Sequence, residues 1–109
     1  MESIVYSEAK EVDIADLVHL LSILFSIEKD FIPDSDKQQK GLQLLIKNQH
    51  TATIQVARNN DEKVVGMVSA QLVISTSQGA TSAWMEDMVI NEAYRGHGIG
   101  KQLLCNALT

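Results

Sequence analysis

Gly96, Gly98 and Gly100 alternate directly behind Arg95 and ahead of Lys101 in the run Tyr94-Arg95-Gly96-His97-Gly98-Ile99-Gly100-Lys101. Glycine lets the backbone enter conformations closed to residues with a Cβ, so successive N–H groups can turn toward one anion with no side chain in the way. Ile99, Leu103, Leu104 and Leu108 follow at helical spacing. The same N–H groups are therefore the unpaired donors of a helix N-terminus, where the helix dipole favours negative charge. Arg95 adds a planar fork suited to phosphate and Lys101 a point charge. The chemistry this predicts is phosphate binding.

Two glycine motifs fail here. A Walker loop needs glycine five residues before the Gly-Lys pair and a Ser or Thr after it, and those positions hold Arg95 and Gln102. A dinucleotide fingerprint needs glycine where Lys101 stands. The spacing that does fit is Arg-x-x-Gly-x-Gly behind a strand. Together with the preceding Glu86-Asp87-Met88-Val89-Ile90 and the following Ile99-Gly100-Lys101-Gln102-Leu103-Leu104, it resembles the pyrophosphate-binding motif of the GNAT superfamily of acyl-CoA-dependent N-acetyltransferases.

That resemblance implies acetyl-CoA as co-substrate, held by Met88, Val89, Ile90, Arg95, Gly96, His97, Gly98, Ile99, Gly100 and Lys101. Met88 would offer its N–H to the acyl carbonyl, whose oxygen gains negative charge as an amine attacks, and Ile90 would pair with the pantetheine amides. Glu86 resembles the proton acceptor of members with Glu-Asp at this point, since an ammonium must lose a proton before attacking. Asp87 is expected on the opposite face in a structural role. The helix-loop-helix region ahead of the main sheet walls the acceptor site in this family, which makes Phe25, Glu28, Phe31 and Ile32 the expected substrate contacts. The acceptor is expected to be a small-molecule or peptide amine.

The elements that must position these residues follow from pattern. Ile4-Val5-Tyr6 reads as a short strand. Asp13 reads as a helix N-cap with a Val12–Leu17 staple, ahead of the stripe Ile14, Leu17, Val18, Leu21, Leu24 and Phe25. A turn-rich loop over 30–36 leads to a second helix with Leu42, Leu45 and Ile46 on one face. Residues 53–57 and 63–74 form a hairpin about the Asn59-Asn60-Asp61-Glu62 turn, and a loop over 75–82 precedes the strand of Trp84. The expected fold is α/β of the α+β kind: a mixed, mostly antiparallel sheet flanked by helices, in the order β-α-α-β-β-β-α. Full members of the family continue with further strands and a helix, so 1–109 is expected to be a single but C-terminally incomplete domain. The strand of Trp84 would then be an open edge favouring a homo-oligomer. A binding or protein-interaction module derived from this fold, without catalysis, is the alternative.

Composition narrows the field. A chain of 109 residues with 45% hydrophobic content suits one globular domain. A formal charge of −5 with scattered basic residues argues against nucleic acid as a partner. The single cysteine, Cys105, forms no intrachain disulfide and reads as a buried helical thiol suited to a reducing compartment. No signal-like start and no membrane-length apolar run occur, so the expected location is the cytoplasm. His19, His50 and His97 lack metal-site spacing, and no metal is assigned.

Overall fold

The computed structural model describes residues 3–25 and 35–108, the side chain of Phe25 excepted. Strand β1 (Val5–Glu8) is followed by helices α1 (Ile14–Phe25) and α2 (Ser35–Lys47), strands β2 (Ala52–Arg58), β3 (Val64–Ser75) and β4 (Ala80–Ile90), and helix α3 (Ile99–Leu108). Single 3-10 turns at Glu11–Asp13 and Glu92–Tyr94 lead toward α1 and α3. The four strands form one antiparallel sheet in the order β1-β2-β3-β4. The element order and antiparallel pairing are those read from the sequence.

Local chemistry explains the hairpins. Asn59 accepts from the N–H groups of Asp61 and Lys63 through its side-chain oxygen, at 2.9 and 3.0 Å, and Glu62 takes a positive φ of 62° at the corner. This is the backbone reversal that asparagine favours. The second hairpin is tighter than the composition of 75–82 suggests. Gly79, at φ 64°, turns the chain, and Ala80, Thr81 and Ser82 are already paired with Ser75, Ile74 and Val73. Small polar residues join a strand readily when its neighbour supplies the ladder.

Helices cover both faces of the sheet, and β3 shows it. Every residue from Val64 to Ala70 is buried, the continuous pattern of a strand enclosed on two sides. On one face Leu17, Leu20, Leu21 and Leu42 of α1 and α2 pack on Ile54, Val56, Val64, Met67 and Val89. On the other, Ile99 and Leu103 of α3 pack on Ala57, Val65 and Val68. Gly66 permits this second contact: a Cβ there would lie 2.8 Å from Ile90 Cδ1 and 3.3 Å from Leu103 Cδ1. Each fully buried aliphatic side chain contributes about 1.5–3 kcal/mol.

The start of α1 differs from the expected cap. Asp13 ends the 3-10 turn and α1 begins at the next residue, because its carboxylate has stronger partners than a helix N-terminus. It accepts from the Lys10 N–H at 2.8 Å and holds Arg58 of β2 in a two-pronged pair at 2.7 and 2.6 Å. The hydrogen bond from Arg58 lowers its pKa against the opposing effect of burial. Val12 is 88% exposed, so the expected staple to Leu17 does not form. Cys105 is exposed on α3 rather than buried; Ile99 and Leu103 already occupy the face turned to the sheet.

Candidate functional site

The site is built where β4 ends and α3 begins. Asn91 leaves the sheet with its N–H donating to the Val65 carbonyl at 2.8 Å, and its side chain accepts from the Ala93 N–H at 3.0 Å, which starts the short 3-10 turn. Gly96 and Gly98 follow with φ values of 83° and 80°. A Cβ built at either would meet nothing within 4 Å, so torsion and not crowding demands glycine there. Gly100 lies inside α3 and has no positive φ. Only two of the three alternating glycines thus have the conformational role that their spacing suggests.

The Gln102 N–H bonds to the Gly98 carbonyl at 3.1 Å. The N–H groups of Ile99, Gly100 and Lys101 belong to the preceding first turn and have no helical carbonyl behind them. His97 and Lys101 are exposed beside them. Arg95 is also exposed, and its Nε donates to the Ile90 carbonyl at 3.0 Å. That bond commits one donor of the fork and one lone pair of the carbonyl, leaving each further capacity. A residue not anticipated from sequence supports the turn from below: the Tyr94 hydroxyl accepts from Asn59 Nδ2 at 3.1 Å, tying the turn to the β2–β3 corner.

Upstream, β4 carries a bulge. Met67 pairs with Val89 and Ser69 with Glu86, so Val68 alone stands opposite two residues, Asp87 and Met88. Asp87 absorbs the irregularity with a φ of 51°, a conformation that aspartate tolerates better than most residues. The buried Ser69 hydroxyl donates to the Glu86 carbonyl at 2.9 Å, satisfying backbone beside the break. The bulge is next to the glycine turn in space: a Cβ on Gly100 would lie 3.5 Å from Met88 Sδ and 3.9 Å from Ile90 Cγ1. Met88, Ile90 and the start of α3 are thus brought together, whereas Val89 turns away into the α1 core.

The carboxylates are arranged differently from the expectation. Glu86 is exposed. Asp87, assigned from sequence to a structural role on the other face, lines a cavity of about 560 Å³ between α1, α2 and the sheet, with Leu21, Gln38, Leu42, Leu45 and Gln71. Burial first, and then the neighbouring Glu86 charge, raise the Asp87 carboxyl from its ordinary value. Strict alternation along β4 hides this arrangement, because the bulge adds a residue. Of the expected acceptor contacts, Glu28, Phe31 and Ile32 lie outside the described residues, and Phe25 closes α1 with its side chain likewise outside them. His19 and His50 are exposed. Among the described residues no group of three or more His, Cys, Asp or Glu side chains could hold a metal, and no helix is long and apolar enough to cross a membrane.

Residues 15–109 match the model of the acetyltransferase (GNAT) family. Similar solved structures include a possible acetyltransferase from Clostridium difficile 630, with a TM-score of 0.81 and 21% identity over 96% of this chain and 68% of that one. A predicted acetyltransferase with acetyl-CoA from Clostridium acetobutylicum gives 0.78 and 18% over 97% and 71%. A transcriptional regulator from Bacillus halodurans C-125 gives 0.78 and 29% over 97% and 72%. A search of curated protein sequences finds no match.

Proposed function

The chain belongs to the acetyltransferase (GNAT) family, and from that premise we propose that it transfers an acetyl group from acetyl-CoA to an amine by direct attack. One observation carries the reading: two glycines at positive φ open the first turn of α3 beside a bulged strand end. A pyrophosphate suits such a cradle, since the first-turn N–H groups have no helical carbonyl behind them and the Cβ positions of Gly96 and Gly98 are open. Arg95 and Lys101 supply positive charge at its rim. Met88, whose sulfur would lie 3.5 Å from a Cβ on Gly100, would offer its N–H to the acyl carbonyl, where a fixed donor acts most strongly as negative charge develops. The Glu86–Asp87 pair provides carboxylates beside that point for the proton an ammonium must lose. The same acetyl-CoA requirement is consistent with the Clostridium acetobutylicum neighbour, described with acetyl-CoA.

Calorimetry with CoA tests the reading through Arg95→Glu. Loss of a charge-assisted contact worth about 1.5–3 kcal/mol, with added repulsion, should weaken binding at least tenfold. Unchanged affinity in the folded variant would overturn the assignment. The Bacillus halodurans neighbour, described as a transcriptional regulator, favours one second reading, a binding module without catalysis. That reading expects CoA to bind while no amine is acetylated.

A further inference from the structure

Between Asn91 and the buried Ile99, the chain that forms the glycine turn is exposed at every residue but one. The exception is Tyr94, which packs against the cluster of Ala57, Val65, Val68, Ile99 and Leu103 and whose hydroxyl accepts from Asn59 Nδ2 at 3.1 Å. Asn59 is itself held on several sides. Its Oδ1 accepts from the N–H groups of Asp61 and Lys63 at 2.9 and 3.0 Å, its own N–H donates to the Lys63 carbonyl at 3.0 Å, and its carbonyl accepts from the Glu62 N–H at 3.0 Å. With the side-chain oxygen and both backbone groups committed to the β2–β3 corner, the amide nitrogen is aimed at Tyr94. Directly beyond Tyr94 come Arg95 and the two exposed glycines at positive φ, Gly96 and Gly98. Glycine loses more conformational freedom on ordering than any other residue, so a turn with two of them gains most from a restraint set just ahead. Tyr94 occupies that position.

We propose that Tyr94 and Asn59 are a positioning pair that presets the glycine turn for CoA, although neither belongs to the cradle itself. The proposal rests on the acetyl-transfer reading and adds two residues to its co-substrate site. The Tyr94 ring ties the turn to the α3-face core and the hydroxyl ties it to the β2–β3 corner, so two fixed points outside the turn restrain it. A cradle ordered before its ligand arrives loses less freedom on binding. The pair therefore acts on affinity for the pyrophosphate and leaves the pantetheine arm, the acceptor and the proton transfer untouched.

Calorimetry with CoA on the wild type, Tyr94→Phe, Asn59→Ser and the double variant is the test. Phenylalanine keeps the ring and drops the hydroxyl, while serine keeps an oxygen for the corner and has no amide to reach Tyr94. Each single variant should bind CoA about threefold to tenfold more weakly, the range of one neutral hydrogen bond. The double variant should bind no more weakly than the weaker single one, since the same bond is lost in all three. Pantetheine, which carries no phosphate, should bind all four proteins alike, and nitrogen-15 relaxation should show the Gly96 and Gly98 amides more mobile in the variants. Wild-type CoA affinity in both folded single variants, or losses that add in the double one, overturns the pair. A parallel loss of pantetheine binding places the effect in the fold at large and overturns the positioning role. Both results leave acetyl transfer standing, whereas a wild type that binds no CoA overturns that reading and the pair with it.

Discussion

The two faces of the sheet are built to different rules. On the α3 face, Ile99 and Leu103 close against Ala57, Val65 and Val68 with at most 2% exposure, and the exposed turn ahead of them is backbone held at two positive-φ glycines. On the α1 and α2 face the packing is equally tight around Leu17, Met67 and Val89, but it opens toward Asp87 and Gln71 into a cavity defined by side chains. A backbone cradle recognises a group common to all its ligands and tolerates few changes in shape. A side-chain cavity can change its preference one residue at a time.

The sharpest way to break this contrast is through packing. Leu103→Ala should cost about 2–5 kcal/mol in a denaturant melt and should weaken CoA binding, because α3 loses its seat. Leu45→Ala, at a partly exposed cavity wall, should cost much less and leave CoA binding unchanged. Equal losses would mean that the two faces are not independent.

The same substitution at two glycines separates crowding from torsion. Gly66→Val should cost about 1–3 kcal/mol by overpacking against Ile90, Ile99 and Leu103. Gly98→Val meets open space, so its cost, about 1–3 kcal/mol, is torsional strain, and it should abolish CoA binding outright. Calorimetry paired with thermal unfolding distinguishes them: normal CoA binding by the Gly98 variant would refute the cradle geometry.

The smallest effects are those of pH, and they run in opposite directions. Asp13 has a lowered pKa, so its pair with Arg58 contributes stability in full above the ordinary carboxylate value of about 3.9 and loses it as pH falls through the lowered one. Asp87 has a raised pKa, so the folded state is favoured below the ordinary value and loses that advantage as pH rises through the raised one. Asp87→Asn should therefore stabilise slightly at neutral pH and make no difference in strong acid. Unfolding curves across pH would show Asp13→Asn less stable than the wild type at neutral pH, with the gap closing in acid.

Much of this molecule was legible in its sequence. Periodicity locates α1, α2 and the strands, and the alternating glycines identify the start of α3, because each signal lies within a few residues. Long-range partners were hidden. Asp13 reads as a cap until Arg58, on another strand, takes its carboxylate, and Tyr94 gives no sign that it meets Asn59. Cys105 reads as buried from composition alone, whereas the direction of its helix face exposes it. The Asp87 cavity is invisible for a different reason, since alternation presumes an unbroken ladder.

The single additional residue in β4 acts as a change of parity along the strand. Ahead of it the odd-numbered Met85 packs with the α3 cluster; beyond it the even-numbered Ile90 does, while the odd-numbered Val89 joins the opposite core. Two consecutive carboxylates can therefore serve the same side of the sheet, which a regular strand forbids. Deleting Asp87 would restore the regular ladder and leave Met85, Glu86, Met88, Val89 and Ile90 each on its present side of the sheet. The bulge thus adds one carboxylate position to the strand while the residues on either side of it keep the alternation of a regular ladder.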